Sequence, residues 1–495
     1  MRTIWRAVVA LLLLALVADA ANSGLVNTNV IRTVDLKTLP SVKEQIGVVV
    51  QNDHHSKVFK TYTVQIAQNK APYLADVSVR ERKSGVELVV TKLNGTDNDG
   101  LLSYRATLAR PLQPGEKISL NVDCVFLAMV EPRPRAVVPT DDQTWLWTDS
   151  ALVPSAYPTR KQKTVVRTSG DIRAHAPTGD STRDNAKSVT FGPFTADAPS
   201  EPLEVRFRDN SEQLEALVHR REYFVSHWAN DLNVQEYYEL RNRAPAIAGG
   251  FDKVKQTMAK FTRARDNYVK TLLVKVPADA RQLYVVDEIG NVSTSAVTRR
   301  QRVDNEVFRV MQLRPRFPLA GQWNYTWWHG YSVPLTGYLR ATKGRYALRV
   351  PFIGALVGSA SQNDEIPLSA LATPNTAVRA YQLRVTLPEG ATNVHAHVPV
   401  AVDDVSQHHT AYYFDSRGRT VVVIEQANVA PSTINAQLLV TYDYSALALW
   451  QKPLVVALAL FAVFALASAV GRMQLGLAAA PKPRRSQGRS KESSS

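Results

Sequence analysis

The stretch Pro453–Gly471, PLVVALALFAVFALASAVG, restricts this chain more than any other. It is about 19 residues of near-continuous hydrocarbon, the length at which a helix rising ~1.5 Å per residue crosses a bilayer core. Ser468 is its one polar side chain, and a serine hydroxyl bonds back to a carbonyl one turn earlier. Tyr442, Tyr444 and Trp450 precede it, amphipathic rings of the kind favoured at a membrane interface. Arg472, Lys482, Arg484, Arg485, Arg489 and Lys491 follow. Basic residues beside a span stay on the cytoplasmic side. The pattern predicts a transmembrane helix over 452–471, a basic cytoplasmic tail over 472–495, and a large N-terminal part across the membrane. A buried core helix is the alternative that such an apolar run leaves open.

The N-terminus points the same way. Arg2 and Arg6 precede the apolar run Ala7–Ala18, and Ala18-Asp19-Ala20 fits a small-x-small cleavage pattern. Residues 1–20 therefore read as a secretory signal peptide. The competing reading, an uncleaved anchor, meets an apolar run short for a span. The expectation is a single-pass type I membrane protein.

The formal net charge of the 495 residues is +15. Part of the excess lies in the tail, where it suits an anionic leaflet. The rest makes the ectodomain basic, which fits membrane lipids and other acidic partners but, on that side of a membrane, no nucleic acid. Cys124 is the only cysteine, so no intrachain disulfide forms. Its neighbours Val122, Val125 and Phe126 mark it as a buried strand thiol. An ectodomain without disulfides belongs inside the secretory pathway more readily than at the cell surface.

In order along the chain, apolar or alternating runs recur about every ten residues: Val42–Val50, Phe59–Ile66, Val86–Val90, Leu101–Leu108 and Ile118–Leu127. Turn signals at Lys83-Ser84-Gly85, Asn94-Gly95 and Gln113-Pro114-Gly115 separate them. Val165–Arg167, Ser188–Phe191 and Leu203–Phe207 continue the pattern around the polar stretch Gly170–Lys187. Tyr268–Val276, Gln282–Val286, Tyr381–Leu387 and Tyr412–Phe414 repeat it, each followed by a turn. The fold class expected is mainly β, with tandem antiparallel sandwich-like domains over 21–212 and 213–448, the second divisible into two smaller units. The boundary falls near Asn210–Leu214. Phe251–Phe261 departs from this grammar. Phe251, Val254, Met258 and Phe261 share one helix face among Lys253, Lys255, Lys260, Arg263 and Arg265, either contacting an acidic partner or membrane surface or simply solvated.

Catalytic patterns are hard to assemble. Asp97-x-Asp99 has the form of a metal-holding glycosyltransferase pair, but its setting, Asn94-Gly-Thr-Asp-Asn-Asp-Gly100, has turn composition. His395 and His397 share a strand face, and a neighbouring strand with His408-His409 would bring them together, yet no carboxylate or cysteine stands at a ligand spacing. Asp141-Asp142 and Asp403-Asp404 are scattered, and no nucleophile, phosphate-loop or dinucleotide motif occurs. No catalytic, metal or cofactor residue is assigned. Three sequons are candidates for N-glycosylation: Asn291 first because it follows a turn, then Asn94, then Asn324, whose aromatic neighbours predict burial. On the span, the small pairs Ala465/Ala469 and Ala467/Gly471 are candidates for helix docking.

Several long motifs carry a resemblance. Val225–Asn230 (VSHWAN), Asp287–Ser295 (DEIGNVSTS) and Arg314–Leu319 (RPRFPL) with Gly321 and Trp323 are similar to signature stretches of the ribophorin I family, subunit 1 of the oligosaccharyltransferase of the endoplasmic reticulum. Leu387–Ala391 (LPEGA) and Pro453–Val456 (PLVV) resemble it too. The resemblance implies a non-catalytic accessory subunit in the endoplasmic reticulum membrane, without a cofactor of its own. Its implied partners are the catalytic and small membrane subunits and nascent glycoprotein clients, which it presents for transfer of an oligosaccharide from dolichyl diphosphate to Asn-x-Ser/Thr. Trp327–Tyr331 (WWHGY) echoes the catalytic subunit's Trp-Trp-Asp-Tyr-Gly only superficially, since it lacks the aspartate. Vertebrate members carry a longer cytosolic region than this tail of about two dozen residues, which is too short for a packed domain. The alternative to this reading is a single-pass adhesion or receptor ectodomain unrelated to glycosylation.

Overall fold

Period-2 alternation in the sequence becomes alternating burial in the strands. Leu25–Leu36 and Ser41–Asn52 each send every second side chain inward, and Val30, Val34, Leu36, Val42, Val48 and Val50 build one face. The computed structural model describes residues 24–472 except 97–99, 139–140, 196–201, 262–267, 304–305, 355–357, 360–375, 413–414 and 416. The signal-peptide and tail assignments lie outside the described residues, as do Asp97 and Asp99.

Those two strands pair antiparallel in a ten-stranded sheet, and Leu25–Leu36 also pairs in parallel with Gln162–Thr168. A four-stranded sheet containing Thr144–Ser150 and Pro202–Arg208 contributes Trp145, Trp147 and Phe207 to the same apolar core, which runs from Leu25 to Phe207. Cys124 is buried there, 2% exposed, and burial pushes its thiol pKa up.

A second core runs from Leu214 to Tyr444. Its frame is an eight-stranded sheet. Leu214–Ser226 and Asp231–Asn242 form a hairpin at its centre, flanked by Asn324–Pro334 and Arg281–Asp287 on one side. On the other side Thr376–Thr386 pairs in parallel with Leu214–Ser226, followed by Arg419–Val429 and Asp404–Thr410. Leu272–Pro277 and Glu306–Leu313 from a five-stranded sheet add to the core, as do Arg345–Pro351 and Gln437–Asp443 from a four-stranded one. The parallel pairs join segments far apart in sequence and need long crossovers, so local pattern does not reveal them.

The two cores touch. Arg243 donates to the Val130 carbonyl at 2.9 Å, and Asn428 donates to the carbonyls of Pro72 and Leu74 at 3.0 and 3.1 Å. Ala136–Val137 pairs in parallel with Ala246–Ile247.

The mainly β class is observed, and several local expectations are corrected. Gly170–Lys187 contains the strands Ile172–Ala176 and Ser181–Asn185; Ile172 is the only buried residue of the two, so neither carries a readable period. Tyr412 lies outside any strand, because the pairing uses Asp404–Thr410 and Arg419–Val429; Phe414 lies outside the described residues. The Tyr268–Val276 strand begins only at Leu272. Asn94 to Thr96 extend the strand Glu87–Thr96 rather than form a turn. Tyr442 and Tyr444 are buried, not presented as interfacial rings, because they belong to the last sheet strand and the turn after it. The basic segment does form a helix, Lys253–Phe261, with Val254 and Met258 exposed.

The chain then enters a helix, Ala446–Arg472. Its most apolar 18-residue window has a mean hydropathy of 2.6 and is not buried. The helix is long and apolar enough to cross a membrane.

Candidate functional site

The helix is seated on the second core by residues from three of the motifs singled out in the sequence. Pro453 has no N–H, so the carbonyl four residues earlier, that of Leu449, loses its intrahelical donor. The indole Nε1 of Trp228 donates to that carbonyl at 2.8 Å. Trp228 sits at the turn of the central hairpin, His227 to Asn230, where Asn230 adopts φ +54, a conformation Asn tolerates. Its ring meets Trp450 edge-on at 6.2 Å. His227 stacks on Tyr444 at 4.6 Å, and its Nε2 lies 2.9 Å from the Tyr442 hydroxyl.

A charged contact completes the seat. Lys452 Nζ bonds Asp415 Oδ1 at 2.5 Å and lies 3.8 Å from Glu389 of the LPEGA stretch. Burial works to raise the Asp415 pKa, but hydrogen bonds from Lys452, the Tyr412 amide and Arg419 outweigh it and hold the carboxyl below its usual range. An ammonium one residue before the apolar span is thereby fixed against the β domain.

The other two motifs meet each other. Arg316 of RPRFPL grips Asp287 of DEIGNVSTS with Nε at 2.6 Å from Oδ2 and Nη2 at 3.0 Å from Oδ1. The same carboxylate accepts the amides of Ile289 and Gly290, and Arg316 reaches the carbonyl of Asn291 at 3.2 Å. The turn presenting Asn291 is clamped and its side chain is exposed. Asn324, for which aromatic neighbours predicted burial, is exposed as well, because it opens its strand where the Arg281–Asp287 strand no longer covers it. Gly321 is pressed on the Ala244–Pro245 backbone, where a Cβ would lie 1.9 Å from the Pro245 carbonyl oxygen.

Between these nodes lies a buried charged cluster that sequence reading missed. Glu236 accepts from Arg221 at 2.9 Å, from Tyr238 at 2.9 Å and from His219 Nε2 at 3.0 Å. All four side chains are essentially sealed from solvent. Burial raises the Glu236 pKa, but Arg221 and the His219 hydrogen bond more than reverse it, leaving the carboxyl well below the usual range. Trp327 Nε1 donates to His329 Nδ1 at 3.3 Å, which places that histidine's proton on Nε2. Burial depresses His329 to about 4 despite the nearby carboxylate. Gly354 covers the cluster; a Cβ there would lie 1.8 Å from Arg221 Nη1. Alternation hides these residues, since Arg221 and Glu236 occupy inward positions that normally hold valine or leucine.

The remaining sequence candidates do not converge. His395 and His397 are in Thr392–His397, which pairs with Gln437–Asp443, whereas His408 and His409 are in Asp404–Thr410, which pairs with Arg419–Val429 in another sheet. The neighbouring-strand arrangement is therefore corrected: the strands never pair, and all four rings are exposed. No group of three or more metal-ligating side chains occurs among the described residues. Asp142 pairs with Arg208, and Asp403 accepts the Ala427 amide. Trp327 to Tyr331 is a core strand segment. Ala465, Ala467, Ala469 and Gly471 lie on the uncovered helix.

Comparison with known proteins reaches nearly the whole described chain. Residues 25–471 match the family Ribophorin I. A dolichyl-diphosphooligosaccharide–protein glycosyltransferase subunit 1 from Caenorhabditis elegans is 31% identical over 74% of this chain and 58% of its own length. Subunit 1B from Arabidopsis thaliana is 30% identical over 76% of both chains. Subunit 1B from Oryza sativa subsp. japonica is 26% identical over 90% of this chain and 91% of its own. The likeness to an M1 zinc metallopeptidase from Deinococcus radiodurans has a TM-score of 0.22 at 16% identity, over 41% of this chain and 48% of that one, and carries no argument.

Proposed function

The chain belongs to the ribophorin I family, and from that premise we propose that it is a non-catalytic, membrane-anchored subunit of an oligosaccharyltransferase that presents acceptor proteins to a separate catalytic subunit. The observation that carries this reading is the family match running through both β cores and into the seated helix. Asp142, Asp287 and Asp415 are each engaged in an ion pair with an arginine or lysine of the fold. The reading places residues 21–448 in the endoplasmic reticulum lumen as two β domains divided at about 212. A large basic ectodomain on a single tether raises the local concentration of whatever it holds. The seat through Trp228 and Lys452 fixes that ectodomain's orientation relative to the span, which free rotation about Ser445 would otherwise blur.

Purification of the full chain from membranes in mild detergent is expected to recover a polytopic catalytic subunit with it. In that complex, Trp228→Ala with Lys452→Ala should impair glycosylation of full-length acceptor proteins while transfer to a short acceptor peptide persists. A hundredfold or greater fall in peptide transfer by an intact complex, about the loss of one catalytic electrostatic group, would place chemistry in this chain. Absence of any oligosaccharyltransferase subunit would favour the receptor alternative.

A further inference from the structure

Beside the helix seat, the outward face of the eight-stranded sheet opens into a groove of about 470 Å³, within the range of small-ligand clefts. We infer that this groove binds a neutral saccharide. The inference rests on the groove's own chemistry and stands apart from the proposed function.

The floor is made by register. Glu222 lies opposite Gln235, Phe224 opposite Asn233, Ser332 beside Asn233, and Gly330 beside Gln235. Gly330 leaves a gap in that row, and the Tyr284 ring fills it: a Cβ at Gly330 would lie 2.5 Å from the Tyr284 hydroxyl. The wall is set by a bulge. Register shifts between Arg281 and Tyr284, and Gln282 takes φ +50, uncommon for a residue with a Cβ. Bulges re-aim side chains, and this one brings the Gln282 amide to 3.1 Å from Ser332 Oγ, which is also 2.6 Å from the Asn233 amide oxygen. One hydroxyl proton fully satisfies only one of these two carbonyl oxygens, so the amides keep hydrogen-bonding capacity for a ligand.

The lining thus combines both donors and acceptors of three amides with aromatic surface. Tyr284 is 40% exposed. Phe224 and Tyr412 meet edge-on at 5.8 Å, and Arg419 stacks on both while held by Asp415. Among the described lining residues Glu222 is the one carboxylate, oriented by the Thr386 hydroxyl at 3.0 Å. None of those residues is a cation, and the nearby Arg419 guanidinium is already paired with Asp415, so Glu222 disfavours an anionic ligand. A peptide bound by strand addition needs backbone partners at a sheet edge, and this floor is a sheet face whose amides and carbonyls are committed to the ladder. What remains is an uncharged ligand with many hydroxyls and apolar C–H faces. Hydroxyl pairs suit the amides and Glu222, and ring faces suit Tyr284 and Phe224.

The test uses the full chain in a detergent without a sugar headgroup, titrated with neutral trisaccharides of glucose, mannose and N-acetylglucosamine and read by saturation-transfer NMR. At least one should bind with a dissociation constant of about 1 mM or tighter. Tyr284→Ala and Gln235→Ala, both at exposed positions, should each weaken that binding at least about tenfold, with unchanged melting temperature, and Tyr237→Ala outside the groove should not. Repeating the titration with the same sugar on a short peptide distinguishes free from protein-borne glycan, and binding of either form supports the proposal. No binding of any trisaccharide, binding indifferent to both groove variants, or Tyr284-dependent binding of a sugar-free peptide instead would overturn it.

Discussion

Glu236→Gln tests the most consequential buried interaction in the second core. The carboxylate is bonded to Arg221 at 2.9 Å, with side chains 2% and 4% exposed. The substitution keeps shape and one acceptor but removes the charge, leaving the Arg221 guanidinium buried without a counter-charge, beside the Tyr331 hydroxyl at 3.3 Å. Breaking one side of a buried pair destabilises by about 3–5 kcal/mol. For a cooperative unit of roughly 230 residues, each kcal/mol lowers the melting temperature by ~2–4 °C, so the expected fall is about 6–20 °C. Scanning calorimetry of the full chain in detergent at neutral pH reads it. Because the desolvation cost disappears when both charges go, Glu236→Gln with Arg221→Met should recover most of the loss. A single variant within about 1 kcal/mol of the parent, or a double variant worse than the single, would show that water reaches the cluster and refute the buried-pair argument.

Other outcomes follow from the same structure. His329 is depressed to about 4 against an unfolded value near 6.5, so between those values the unfolded chain binds more protons. Stability should fall as pH drops from about 6.5 to 4, by up to ~1.4 kcal/mol per pH unit, and His329→Phe should flatten that slope in pH-dependent urea titrations. Cys124, buried and with its pKa raised, should resist alkylation until the first core unfolds; rapid modification under native conditions would contradict its burial. Asn291→Gln should remove more glycosidase-sensitive mass than Asn94→Gln or Asn324→Gln, and an undiminished shift would sink that order. Ala465→Leu with Ala469→Leu should reduce recovery of membrane partners without affecting insertion, whereas unchanged co-purification moves the docking face elsewhere.

Much of the architecture was legible locally. Alternation at Val42–Val50 and Ile118–Leu127 predicts strands because each side chain's face follows from position alone. The apolar run after Pro453 predicts a spanning helix from length and composition. The exposed, short strands Ile172–Ala176 and Ser181–Asn185 were not legible, since partners rather than their own pattern hold them. Burial of Tyr442 and Tyr444 was equally hidden, because sequence proximity to a span does not say which side of a sheet a ring faces.

The sites divide along the same line. Sequence alone shows that Pro453 has no N–H to donate, a local covalent fact, but the helix expected to begin at 452 begins at Ala446, and only that extension leaves the Leu449 carbonyl without its donor. That Trp228, 221 residues away, meets this carbonyl was decided by the tertiary structure. Likewise Arg221 and Glu236 look like surface charges in a list of residues, and only the register of the central hairpin turns both inward. Chain chemistry determines which groups need partners. The long-range pairing of strands determines which partners arrive, because a shift of one residue in register sends every side chain to the opposite face.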